Sequence, residues 1–150
     1  LVEKILVPTD GSESSLRAAQ FTAELVKIKP EITTIIFTVD RVPLQFLERD
    51  LYWIASDMSE KSRHIKEVFE ELRQTNLNKA SSYFKRNGLK VWYDYSYGNP
   101  AEEIAAYARK NNVDMIIMGT RGLSAIKEVF LGSVSHKVLQ LASCPVVLVK

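Results

Sequence analysis

With 150 residues, 46% of them hydrophobic, the chain has the usual size of one domain and enough apolar content for a single sizeable core. Its 20 basic and 18 acidic side chains leave a formal charge of +2, too balanced to mark a nucleic-acid or membrane surface, so any anionic ligand must be caught locally. The lone Cys144 excludes an intrachain disulfide framework and a cysteine-rich zinc site; with no charged-then-apolar leader and no apolar run of roughly 18 residues, a soluble protein of the reducing cytoplasm is expected.

Lys4-Ile5-Leu6-Val7-Pro8 is a nearly continuous apolar run, closed by Pro8 and Gly11, of the kind that forms a strand covered on both faces. Ser12 can cap the helix that follows, where Leu16, Ala19, Ala23 and Val26 share one face. Ile32 to Val39 is rich in β-branched residues and reads as a second buried strand ending at Val39-Asp40. Arg41 to Asp57 carries Leu44, Phe46, Leu47, Leu51, Tyr52, Trp53 and Ile54 without a period, as a loop or short helix that covers a ligand or forms a partner surface. From about Ser59 to Asn87, Ile65, Phe69, Leu72, Tyr83 and Phe84 fall near one stripe of a long helix, weakened midway by Asn76 and Asn78.

Asn87-Gly88 stops that helix, and Leu89 to Ser96 alternates as a third strand nearer an edge. Asn99-Pro100-Ala101-Glu102 combines an N-cap residue, proline at the first helical position and a glutamate placed to complete a capping box. Ile104, Ala105 and Ala108 give this helix its apolar face, Asn111-Asn112 end it, and Val113 to Met118 is a fourth buried strand. After Ser133, Val134, Val138, Leu141 and Ala142 mark a fourth helix, and Pro145 to Val149 a fifth strand, with Cys144 in the core. The alternation βαβαβαβαβ requires right-handed crossovers and predicts a three-layer α/β sandwich around an open parallel sheet. Ligands of such sheets bind beyond the carboxyl ends of the strands, where the strand order switches direction.

At one of those ends, Gly119-Thr120-Arg121-Gly122-Leu123-Ser124 follows the fourth strand, and Gly132-Ser133 opens the next helix. Gly119 and Gly122 permit positive φ and close approach of a ligand to main-chain amides, while the N–H groups and dipole end at Gly132-Ser133 favour an anion. Arg121 and Lys127 supply positive charge, and the hydroxyls of Thr120, Ser124, Ser133 and Ser135 can donate to phosphate oxygens. Taken singly, these glycines can also only shape a turn and Ser133 only cap a helix.

The spacing Gly-x2-Gly-x9-Gly-Ser, together with Val7-Pro8-Thr9-Asp10-Gly11-Ser12, resembles the ATP-binding branch of the universal stress protein family, whose further landmarks Gly98-x-Pro100 and Ser143-x-Pro145-Val146 also occur in order. The resemblance covers essentially the whole chain. It implies an adenine nucleotide alpha hydrolase-like fold of sheet order 3-2-1-4-5, ATP (or ADP or AMP) held across the carboxyl edge, and a homodimer through the C-terminal strand. Carried onto this sequence, it puts Pro8, Thr9 and Asp10 beside adenine and ribose, the main chain of Val39 against the adenine, and Met118, Gly119, Thr120, Arg121, Gly122, Leu123, Ser124, Gly132, Ser133, Val134 and Ser135 along ribose and phosphates. Asp10 serves the ribose hydroxyls or a divalent ion, Mg2+ or Mn2+, and Leu123 to Leu131 reads as a lid or spacer. The function so implied is that of a cytoplasmic, nucleotide-dependent sensor or regulator in a stress response, acting on an unidentified regulatory partner.

No catalytic constellation is visible. There is no Gly-Lys-Ser/Thr P-loop, His136 lies one turn past Ser133 with no paired acid, and His64 sits in the charged long helix. Ser12, Ser14 and Ser15 lack a base and an orienting acid. A phosphorelay receiver would need an acidic cluster where only Asp10 stands, and a flavodoxin would need a phosphate loop where Asp10 repels phosphate. The alternatives are a slow ATPase or phosphotransfer enzyme using the same site, and an interaction module without nucleotide.

Overall fold

The computed structural model describes residues 1–41, 60–121 and 131–150. The expectations for residues 42–59 and 122–130, including Gly122, Leu123, Ser124 and Lys127, lie outside the described residues. Among the described residues, five strands and four helices alternate: β1 (Lys4–Pro8), α1 (Glu13–Val26), β2 (Thr33–Asp40), α2 (Glu60–Arg86), β3 (Trp92–Tyr97), α3 (Pro100–Lys110), β4 (Met115–Gly119), α4 (Ser133–Leu141) and β5 (Val146–Val149). All pairings are parallel and the order is β3-β2-β1-β4-β5, as expected.

Side-chain alternation sorts the strands between two cores. Ile5, Val7, Ile36 and Ile117 face α1 and α2, where they meet Ala18, Ala19, Ala23, Val26, Leu77, Ala80 and Phe84. Leu6, Ile35, Phe37, Ile116 and Met118 face α3 and α4, against Ala101, Ile104, Ala108 and Val138. Full burial of residues such as Ile5, Leu6, Ile36 and Ile117 contributes about 1.5–3 kcal/mol each, which explains why the central strands are apolar on both faces. Small residues on α1 and α3 let the helices approach the sheet closely.

Helix starts follow local chemistry. Ser12 caps α1, its hydroxyl accepting the Ser15 N–H at 3.3 Å, and Asn99 caps α3, accepting from Ala101 N–H at 3.1 Å with Pro100 just inside. α4 differs. Its N-cap is Gly132, which offers no side chain, so Ser133 is the first helical residue and not a cap.

The long helix forms as expected, and two strands begin later than expected. α2 runs unbroken through Asn76 and Asn78: Asn76 packs against Gly11, whose φ of +78° and missing Cβ make room for it, and Asn78 accepts a hydrogen bond from Gln74 one turn earlier. β3 begins at Trp92 instead of Leu89, because Gly88 turns with φ +66° and the Leu89 N–H returns to Phe84 O at 3.0 Å, closing the end of α2. β4 begins at Met115, since Val113 N–H closes α3 onto Ala108 O and the Asp114 carboxylate binds the N–H groups of Glu3 and Lys4.

Candidate functional site

The strand order reverses between β1 and β4, and a cavity of about 270 Å³ opens there at the carboxyl edge. This is close to the lower end of the roughly 300–1,000 Å³ common for small-molecule sites. Pro8, Thr9 and Asp10 form its floor from the end of β1 and the turn after it, Phe37, Val39 and Arg41 one wall from β2 and the residue past it, and Met118, Gly119 and Arg121 the opposite wall from β4 and the stretch after it. Leu131, Gly132, Ser133, Val134 and Ser135 bring the start of α4 into it, and Pro100 and Ile104 the start of α3.

The turn after β1 is closed by hydrogen bonds. Thr9 N–H donates to Phe37 O at 2.8 Å, Ser12 N–H donates to Asp10 Oδ1 at 3.0 Å, and the Thr9 and Ser15 hydroxyls share a hydrogen bond of 3.0 Å. On the other wall, Thr120 and Ser135 brace the junction between β4 and α4. Gly132 N–H and the Ser135 hydroxyl both donate to Thr120 O, at 2.6 and 2.9 Å, while Thr120 N–H donates to Val149 O at 3.0 Å. Gly132 tolerates little side chain here, since a Cβ would stand 3.1 Å from Thr120 O.

The α4 N-terminus brings free amides to the cavity. With glycine at the cap and no side-chain bond there, the first-turn amides of Ser133, Val134 and Ser135 and the positive end of the helix dipole face the cavity beside Arg121. The cations of the described lining are Arg41 and Arg121, and its acid is Asp10.

Of the expected residues, Pro8, Thr9, Asp10, Val39, Met118, Gly119, Arg121, Gly132, Ser133, Val134 and Ser135 converge on this cavity. Three roles change. Gly119 does not take a positive φ; its missing Cβ admits α1, whose Ser14 carbonyl carbon would lie 2.6 Å from such an atom. Thr120 is buried and stands outside the lining, and the Ser135 hydroxyl, 2% exposed as a residue, gives its proton to Thr120 O and Gly132 O. Neither hydroxyl is offered to a ligand in the way the sequence suggested. His136 and His64 are exposed, and His136 pairs with Gln140 on its own helix.

Sequence reasoning missed Ser15, Phe37, Arg41, Pro100, Ile104 and Leu131 as lining residues. Pro100 and Ile104 already had roles in α3, and Arg41 opens an aperiodic stretch, so no pattern distinguished it. Among the described residues there is no group of three His, Cys, Asp or Glu side chains placed to hold a metal, and no helix long and apolar enough to cross a membrane.

A model of the universal stress protein family matches residues 2–150. The chain belongs to the universal stress protein family. Among its relatives, Universal stress protein MJ0531 of Methanocaldococcus jannaschii is 34% identical over 150 residues, covering 100% of this chain and 83% of that one. The solved structure of MJ0577, from the same organism, superposes with a TM-score of 0.78 at 30% identity, covering 99% of this chain and 95% of that one. A universal stress protein solved in complex with cAMP shares the fold at 23% identity, with a TM-score of 0.72 over 99% of this chain and 97% of that chain. The sheet order of this chain is thus that of the universal stress protein fold.

Proposed function

We propose that this universal stress protein binds an adenine nucleotide, ATP or its di- and monophosphate, in the cavity at the carboxyl edge and acts as a nucleotide-dependent regulator, as a homodimer through β5. The observation that carries the reading is the meeting of an uncapped helix N-terminus and Arg121 with the ends of β1 and β2 in one cavity. The phosphates lie against the amides of Ser133, Val134 and Ser135 and the Arg121 guanidinium. The base lies between Pro8, Thr9 and the main chain of Val39, and the ribose at Asp10. The relative solved with cAMP supports the reading to the extent that the same fold accepts an adenine nucleotide in that protein.

A divalent ion fits this site as a companion of the phosphates. Asp10 is the acid of the described lining and its Oδ1 already accepts the Ser12 N–H, so phosphate oxygens and water would provide most ligands of Mg2+ or Mn2+. When bound, the ion neutralises phosphate charge. The described residues hold the nucleotide and leave its phosphoanhydride bonds without a positioned base.

Calorimetric titration with Mg-ATP, and mass spectrometry of small molecules released from the purified protein, test this. Binding with thermal stabilisation, weakened in Arg121→Ala, is the expected result. Absence of both heat and stabilisation at saturating ATP refutes the nucleotide reading, and rapid release of ADP replaces the regulator with an ATPase.

A further inference from the structure

Between the two cavity residues Val39 and Arg41, Asp40 turns its side chain the other way, onto α2. There it meets Arg73, with Arg73 Nη1 3.7 Å from Asp40 Oδ2 and both side chains less than a tenth exposed. The Arg73 guanidinium in turn lies over the Tyr95 ring, 3.6 Å from its centroid, with the Tyr97 centroid at 5.9 Å. Tyr97 is also the register partner of Asp40, and the Asp40 carbonyl accepts the Gly98 N–H at 3.1 Å. The carboxyl end of β2 is therefore tied to β3 by its main chain and to α2 by its side chain.

This arrangement is costly. Asp40 Oδ2 is buried and takes no hydrogen bond among the described residues, and burial pushes the Asp40 carboxyl above its ordinary range against the pull of Arg73. Replacing a loose buried ion pair by apolar residues is often neutral or stabilising, so stability alone does not explain why the fold keeps it. Its position does. The single residue whose side chain makes the tie is flanked on both sides by residues of the cavity wall.

We infer that Asp40 and Arg73 are positioning residues, which fix the height and angle of the Val39 main chain so that it reads the edge of the base, without touching the ligand themselves. The inference rests on the adenine placement proposed above for its selectivity consequence, while its structural half is independent of any ligand. Loss of the pair leaves the phosphate wall at Arg121 and α4 intact. Discrimination between bases suffers and phosphate recognition does not.

The test compares wild type with Asp40→Asn and with the double variant Asp40→Asn/Arg73→Met, which removes both charges. Hydrogen exchange of the amides from Thr38 to Arg41 is measured without ligand, and ATP and GTP are titrated in parallel. Asp40→Asn, which strands a buried guanidinium, is expected to lower thermal stability; the double variant is expected to regain it. In both variants exchange at these amides accelerates by about threefold or more, and the ratio of ATP to GTP affinity falls by about threefold to thirtyfold. Recovery of that ratio together with stability in the double variant would reduce the pair to a stability element and overturn the inference. Unchanged exchange at the β2 end overturns it too, whether or not nucleotide binds. A wild-type protein that binds neither nucleotide sinks the proposed function, and the exchange comparison then still decides the positioning.

Discussion

Gly119 shows how a residue can be assigned to the right place for the wrong reason. It lines the cavity, yet its glycine character is required by α1: a Cβ would stand 2.5 Å from Ser14 Oγ and 2.6 and 2.8 Å from the Ser14 carbonyl carbon and oxygen. Gly119→Ala is expected to destabilise the protein by about 1–3 kcal/mol in urea titration, the usual cost of overpacking. Because main-chain atoms of Ser14 share the collision, adding Ser14→Ala is expected to restore little of that loss. Full recovery in the double variant would place the collision on the Ser14 hydroxyl alone and not on the main chain of α1. Asp114 offers a second residue-level test, through pH. Its carboxylate accepts the N–H groups of Glu3 and Lys4, at 2.9 and 2.8 Å, and those bonds hold its pKa below the ordinary 3.8. A depressed carboxylate stabilises the fold above the unfolded pKa, and that contribution is lost as pH falls through the folded value. Asp114→Asn is therefore expected to be less stable than wild type at pH 7, with the gap closing in acid as the pH falls below the ordinary carboxylate range. A gap that stays constant with pH would assign the loss to packing.

Elements were legible in proportion to how local their causes are. α1 and α3 announce themselves through Ser12 and through Asn99-Pro100, and both caps form. The strands β1, β2 and β4 announce themselves as short apolar runs because both of their faces are buried. What the sequence could not show depends on distant partners: Asn76 looks only like a weak point of the long helix until Gly11 is placed beside it, and Leu89 looks like a strand residue until its N–H is seen closing α2. The site follows the same rule. Gly132 and Ser133 were legible from spacing, whereas Arg41 and the ion pair behind it depend on β2, β3 and α2 coming together. The cap of α3 gives the test at this scale. Asn99 Oδ1 accepts from Ala101 and Glu102 N–H, at 3.1 and 3.5 Å, and Asn99→Ala is expected to cost about 1 kcal/mol in urea or guanidinium unfolding. Asn99→Asp, which keeps the acceptor and adds favourable charge at a helix N-terminus, is expected to match wild type. Equal loss in both variants would mean that the cap contributes nothing.

At the scale of the molecule, the sheet has two edges, and they are not alike. β3 displays Trp92, 64% exposed, and three half-exposed tyrosines, while β5 is short and partly covered on both faces. β5 is nevertheless the edge wired to the cavity: Val149 O accepts the N–H of Thr120 and the hydroxyl of Ser14, and Arg17 Nε donates to Lys150 O at 2.8 Å. A partner strand on β5 would therefore bear on the loop that carries Arg121, which links the proposed dimer to the proposed ligand. Hydrogen-bond parity identifies a substitution that tests this without harming the sheet. Pro145 O and Val149 O accept from Ile116 on β4 and from Thr120 just past its end, so residues 145, 147 and 149 direct their main-chain groups inward, and Val146 and Leu148 direct theirs outward. Val146→Pro removes an outward N–H and no inward one, at an edge position where proline is tolerated and after a residue already held extended. Size-exclusion chromatography with light scattering is expected to give twice the chain mass for wild type and the chain mass for Val146→Pro, with matching circular dichroism. A wild-type monomer ends the dimer proposal. A Val146→Pro variant that stays dimeric moves the contact away from β5, and the aromatic edge at β3 becomes the surface to substitute next.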